Sequence, residues 1–163
     1  MCSSDLSAFD WPLINRTESV IFYPENAIFP NLAEQLKRFK KPYVLFFHST
    51  AREAKRWSNE NWIHLGNALS VQGYQVVLPW GNSSEKAISE KLASSIPNAV
   101  VPNAFSIEEA FSMISNAVLV VGVDTGLTHL SAVLNRPTVE IYCDSPRWKT
   151  EGYWSDRIRN LGD

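Results

Sequence analysis

Cysteine is scarce in these 163 residues: only Cys2 and Cys143 are present. Two such residues make neither a disulfide framework nor a metal cluster, and a reducing, cytoplasmic setting fits best. Long hydrophobic runs are also missing. The longest, Ala117 to Val123, has the length of a strand, whereas a membrane span needs about 20 apolar residues. The segment Met1 to Asp10 is acidic and has no apolar core, and does not resemble a signal peptide. No single sign of charge dominates. Fifteen Lys and Arg stand against 17 Asp and Glu, giving a net charge of −2, so bulk charge does not point to a nucleic-acid binder. There is no Walker spacing, no G-x-G-x-x-G and no G-x-S-x-G elbow. His48, His64 and His129 form no H-x-x-x-H, and there is no C-x-x-C. Metal and covalent-serine chemistry are therefore not expected. Internal repeats and low-complexity segments are absent too.

What remains is the balance of an ordinary globular domain, 45% apolar and 20% charged. Residues 1–41 have an irregular pattern and read as a connector or edge segment, with a short helix over Asn31–Lys41. From Pro42 the pattern sharpens. Tyr43–Phe47 is a continuous apolar run, the mark of a strand buried on both faces. Asn59–Gln72 follows as a helix, capped by Ser58 or Asn59 and stopped by Gly73. Tyr74–Leu78 is a second strand and Glu85–Ser95 a second helix, with Ile88 and Leu92 inward. Ala99–Val101 is a short third strand. Ser106–Ser115 is a helix with a Ser106/Glu109 capping box and a stripe of Ile107, Ala110, Phe111 and Ile114. Val118–Gly122 is a strand, Gly126–Leu134 a helix, and Thr138–Tyr142 a strand. Residues 144–163 read as loop with a final helical turn. Strands alternating with helices predict an α/β fold: a doubly wound, Rossmann-like parallel sheet over 42–163. Ligands in such sheets bind beyond the carboxyl ends of the strands.

Three loops lie at those ends. In the last of them, Asp124-Thr125-Gly126-Leu127-Thr128-His129, a strand runs into a glycine-bearing helix start. Such a start offers unpaired N–H groups and about half a positive charge, an anion site by construction. The competing reading is that Asp124 or Thr125 merely caps the helix. Asp124 aimed at a diphosphate would repel it, so it caps amides or faces neutral hydroxyls such as those of a sugar. His129 reaches the same ligand or is a buried, hydrogen-bonded histidine. The loop after the first strand, His48 to Trp57, places hydroxyls and the cations Arg52, Lys55 and Arg56 at the same edge. These cations neutralise a phosphate or form a solvated surface. After the second strand, Glu85 binds ribose hydroxyls or simply favours its helix start, and Phe105 stacks on a flat base or packs. Trp57, Trp80, Trp148 and Trp154 fall in loops, where they pack or line a cleft.

Together these loops resemble a known family. Asp124-Thr125-Gly126-Leu127-Thr128-His129-Leu130-Ser131-Ala132, followed by Asn135-Arg136-Pro137-Thr138, resembles the hallmark of the bacterial heptosyltransferases of glycosyltransferase family 9. Lys55-Arg56-Trp57 with Asn61-Trp62 is similar to their K-x-W…W stretch. Leu78-Pro79-Trp80-Gly81 with Glu85 narrows the likeness to members that build the lipopolysaccharide inner core. The resemblance spans residues 42–154. It implies a two-lobed GT-B architecture in which this chain is the C-terminal, donor-binding lobe. The acceptor site and the catalytic aspartate base would lie on an N-terminal lobe outside the chain, and the chain stops short of the family's closing helices. The chain alone is therefore expected to be inactive.

By position, the resemblance implies that Thr50 and Lys55 hold the diphosphate of ADP-heptose. Thr125, Gly126 and Thr128 would add backbone or hydroxyl donors. Asp124 and His129 would contact the heptose or its phosphate, Glu85 the ribose, and Phe105 the adenine. Ala51 stands where the family often carries a second hydroxyl, which removes one phosphate contact. The implied reaction is an inverting displacement onto an acceptor of lipid A carrying Kdo, with Lys55 stabilising the leaving phosphate and no metal or cofactor. A sugar-nucleotide epimerase of the same shape and a non-catalytic binding module are the other readings. Lys37-Arg38, Lys40-Lys41, Arg147 and Lys149 form basic patches: a solvated surface, or a face for anionic lipid at the inner membrane.

Overall fold

The computed structural model describes residues 34, 36–39, 42–144 and 156–162. Its centre is a five-stranded parallel sheet. The elements are β1 (Tyr43–Phe47), a 3-10 turn (Glu53–Lys55), α1 (Asn59–Val71), β2 (Gln75–Val77), α2 (Ser83–Ala93), α3 (Ile107–Asn116), β3 (Leu119–Val123), α4 (Gly126–Val133), β4 (Thr138–Tyr142) and β5 (Ile158–Gly162). The strand order is β2-β1-β3-β4-β5. Outside β2, Val100 adds one parallel rung opposite Val77, so the short strand expected at Ala99–Val101 is reduced to a bridge. With that rung counted, the order is that of the dinucleotide-binding sheets. The expected doubly wound α/β class is what the chain adopts.

Alternation along β1 explains the two layers. Val44 and Phe46 face α1 and α2 in a cluster with Trp57, Trp62, Leu65 and Leu92. Tyr43, Leu45 and Phe47 face the other way, against Met113 and Ile114 of α3. Trp57 and Trp62 meet edge to face at 4.9 Å, and Phe46 tilts against Trp62, so the two tryptophans of the K-x-W…W stretch pack the core. Phe39 also belongs to the core, its ring 5.3 Å from that of Tyr43. Residues 34 and 36–38 are helical; the rest of the segment 1–41 lies outside the described residues.

The caps match the sequence signals. The Ser58 side chain accepts from the Asn61 amide, and Ser106 and Glu109 form the capping box. Gly73 takes a φ of 90° just past α1, where any side chain would be strained. Three expectations need correction. α2 begins at Ser83, because Asn82 caps it through the Glu85 amide. Ile107 is exposed rather than part of the α3 stripe, since it is the first residue of the helix; Met113 takes the inward position. The described end of the tail, 156–162, is not helical: Ile158–Gly162 pairs in parallel with β4 as the edge strand β5. Its polar Arg159 and Asn160 hid the strand, and pairing supplied what local pattern did not.

β1 and β3 are neighbours, yet the chain leaves β1 toward β2 on one side and β3 toward β4 on the other. Their carboxyl ends therefore open a crevice, the switch point of the sheet.

Candidate functional site

Two compartments meet at this crevice. The first is a cleft of about 200 Å³, open to solvent, whose wall includes Phe47, Trp80, Glu85, Phe105, Thr125 and Leu127. Glu85 in the first turn of α2, Phe105 before α3 and Thr125 before α4 are far apart in the chain, and the fold brings them to one cavity. Trp80 is fixed there by its Nε1–H, which donates to the Pro102 carbonyl at 2.7 Å. Glu85 accepts the Gly81 N–H on Oε2 at 2.6 Å, so one carboxylate oxygen is spent on the loop and the other has no partner among the described residues. Half-buried apolar rings beside a lone acid make a surface for a flat, hydroxyl-bearing group.

The second compartment is charged. The 3-10 turn swings Lys55 across the crevice to Asp124, with Nζ 2.7 Å from Oδ2. The other carboxylate oxygen of Asp124 receives Nε2–H of His129, also at 2.7 Å. The remaining nitrogen, Nδ1, meets Glu140 Oε1 at 3.2 Å, and Tyr142 donates its hydroxyl to Glu140 Oε2 at 3.0 Å. The Thr50 hydroxyl donates, at a long 3.4 Å, to the Asp124 carbonyl. Asp124 is thus not a bare carboxylate. Each of its oxygens faces a basic side chain, which answers the objection that it would repel an anion. The bond to Glu140 and then that to Asp124 raise the proton affinity of His129, against the lowering effect of its burial. Both ring nitrogens face carboxylate oxygens, the arrangement that suits an imidazolium.

Beside this cluster α4 starts. Thr125 is its N-cap but makes no side-chain cap bond, so the amides of its first turn have no such acceptor. Gly126 is exposed at this start. Thr128 is different. It is wholly buried, and its hydroxyl has no hydrogen-bond partner. It lies over Gly122, where an added Cβ would come within 2.0 Å of it. Of the donors implied at Thr128, the hydroxyl is therefore sealed away from the crevice, and only the backbone N–H remains.

Sequence reading missed two residues here. His48, the first residue of the loop after β1, is 4% exposed. It shares a 2.7 Å bond between Nε2 and Ser89 Oγ, and a 2.9 Å bond between Nδ1 and Ser49 Oγ. Ser89 donates onward to the Pro79 carbonyl, which assigns the ring proton to Nε2 and leaves Nδ1 as acceptor. Burial, and secondarily the Arg56 charge, hold its pKa down at about 4, so His48 is a neutral wall of the cleft. Glu140 was hidden inside an apolar strand. An acid in the middle of Thr138–Tyr142 was itself the signal, because a buried carboxylate persists only when paired. The Asn135-Arg136-Pro137-Thr138 part of the motif lies at the opposite end of the sheet. There Asn135 takes a left-handed φ of 56° and Arg136 donates to the Ala117 carbonyl, so its part is to shape the α4–β4 turn. Trp148, Trp154, Lys40, Lys41, Arg147 and Lys149 lie outside the described residues. Among the described residues no group of three His, Cys, Asp or Glu is arranged to hold a metal ion, and no helix is long and apolar enough to cross a membrane.

A family model described as glycosyltransferase family 9 (heptosyltransferase) matches residues 23–163. The lipopolysaccharide heptosyltransferase 1 of Salmonella typhimurium strain LT2 is 35% identical over 117 residues, which cover 72% of this chain and 37% of that protein. The solved structure of E. coli heptosyltransferase WaaC with ADP superposes with a TM-score of 0.70 at 30% identity, covering 80% of this chain and 41% of that one. The structure of the same enzyme with ADP-2-deoxy-2-fluoro heptose gives 0.65 at 28% identity, over 85% of this chain and 43% of that one. The chain thus spans well under half the length of each of these relatives.

Proposed function

The chain belongs to glycosyltransferase family 9, and on that premise we propose that it is the donor-binding lobe of a heptosyltransferase of lipopolysaccharide synthesis. The donor is ADP-heptose. The adenosine lies in the cleft, with Phe105 and Trp80 against the base and Glu85 at the ribose. The diphosphate spans from the cleft to the start of α4. The acceptor, lipid A carrying Kdo, and the base that deprotonates it belong to a second lobe. The enzyme works on the cytoplasmic side, and Lys37 and Arg38 are candidates for contact with an anionic membrane face.

One observation carries this reading: Lys55 and the Asp124–Thr128 turn, 69 residues apart, meet at the switch point of the sheet. An ammonium has three N–H donors and gives one to Asp124. The others are available to a phosphate that arrives at the first turn of α4, where the Thr125 side chain makes no cap bond. In the displacement, the acceptor oxygen attacks the anomeric carbon, the bond from that carbon to the phosphate oxygen breaks, and charge grows on the departing ADP. Lys55 and the amides of Gly126, Leu127 and Thr128 stabilise that charge, as an oxyanion site does. Asp124 and His129, already paired with each other, present polar edges to the sugar hydroxyls. No metal is needed for this charge balance.

Calorimetry tests the reading. This chain is expected to bind ADP and ADP-heptose, and binding of neither overturns it. In the two-lobed enzyme, Lys55→Ala should cut turnover by about 100- to 1,000-fold while the melting temperature changes little. Equal turnover in variant and parent would remove Lys55 from the chemistry.

A further inference from the structure

Glu140 is the one fully buried acid at the site that the displacement does not use. It sits in β4 between Val139 and Ile141, both buried. Desolvating a carboxylate there costs several kcal/mol unless it is paired. Its partners include the His129 ring on α4 and the Tyr142 hydroxyl on its own strand. We propose that Glu140, held by Tyr142, is a positioning residue of the donor site, which fixes the plane of the His129 ring and aims its Nε2–H at Asp124. This inference rests on the reading of the crevice as a diphosphate site and adds the residue that sets its charge.

Asp124 stands where the diphosphate is placed, and a bare carboxylate there would oppose it. Two donors cover its two oxygens. Lys55 is one, and the other is His129, a cation only when both nitrogens hold protons. The groups that face His129 are Asp124 from the β3–α4 turn and Glu140 from β4. Lys55 acts through Asp124, and Tyr142 through Glu140. With the imidazolium present, the charges of Lys55, His129, Asp124 and Glu140 cancel. With a neutral ring the cluster carries one net negative charge beside the helix start, and anion binding weakens. Glu140 therefore acts at a distance from the ligand, through the ring it holds.

Nitrogen NMR of the histidine side chains of this chain, without ligand, reads the ring directly. At about pH 7.5 His129 is expected to show two protonated nitrogens. A single neutral tautomer there overturns the proposal, and this reading needs no variant to fold. Glu140→Gln keeps an oxygen to accept the Nδ1–H but removes the charge, so His129 should titrate about one pH unit lower or more. The ligand arm uses ADP. By the same count the variant's cluster carries one more positive charge than the parent's near pH 6, where both rings hold two protons, and the same charge near pH 7.5, where only the parent's ring does. The variant should therefore bind ADP about fivefold more tightly than the parent near pH 6 and about equally near pH 7.5. The same change at both pH values marks a merely structural role and overturns the proposal. A parent that binds no ADP at either pH overturns the diphosphate reading instead, and the ring titration then still decides whether Glu140 governs His129.

Discussion

Thr128 and Gly122 show how closely packing and recognition are interleaved at single positions. The Thr128 hydroxyl is buried against the backbone of β3 with no partner, and an unpaired buried hydroxyl is a net cost. Thr128→Val keeps the shape and deletes that cost. We expect the variant to be at least as stable as the parent in urea unfolding, with ADP affinity unchanged. A marked loss of affinity would mean that the hydroxyl does reach the ligand. Gly122 permits the close approach. An alanine there would put a Cβ 2.0 Å from Thr128 Oγ1 and 3.0 Å from Phe47 Cβ. Overpacking of this kind costs about 1–3 kcal/mol, and the double variant Gly122→Ala/Thr128→Ala should recover part of it. The residue-level reading of Thr128 as a donor followed from its place in the motif. Which face of the helix looks into the sheet is decided by packing against a strand far away in sequence, and no spacing within the motif contains that.

At the level of elements, what was legible had local causes. The apolar run of Tyr43–Phe47, the Ser58 cap and the Ser106/Glu109 box are written in neighbouring residues, and each element formed where those signals stand. β5 was not legible, because its register exists only opposite β4. The acid inside the apolar run Thr138–Tyr142 was a visible signal, but its partner was not, for the same reason: His129 lies on the preceding helix, 11 positions away. The α3 cap also reaches the site, because Phe105, on the cleft wall, immediately precedes Ser106. Ser106→Ala should cost about 1 kcal/mol of stability and loosen that wall. Calorimetry should then show weaker ADP binding with pyrophosphate binding unchanged, because Phe105 belongs to the nucleoside half. Equal losses for both ligands would contradict the division of the crevice into two compartments.

The whole molecule couples the two halves of the site through strand order. Lys55 and Asp124 meet only because β1 and β3 are adjacent. Alternation of strands and helices announces a doubly wound sheet, and the switch-point rule then points to these loops, but periodicity alone does not order the strands. The same fold gives its two site histidines opposite pH behaviour, and global stability reports both. His48 is neutral in the folded protein, with a pKa of about 4 against an ordinary 6.5. Below pH 6.5 the unfolded chain takes a proton that the folded chain refuses, so stability falls as pH drops toward 4, by about 3 kcal/mol in all. His129 has a raised pKa. Its stabilising contribution is complete below the ordinary histidine value and is lost as pH rises through its folded one. Together the two place the greatest stability near pH 6.5, with a decline on each side. Urea unfolding across this range should show that maximum. His48→Gln should flatten the acid limb relative to the parent and leave the alkaline limb in place, while His129→Gln should do the reverse. If His48→Gln leaves the acid slope unchanged, the buried ring is not the group that refuses the proton, and the neutral wall of the cleft has to be assigned elsewhere.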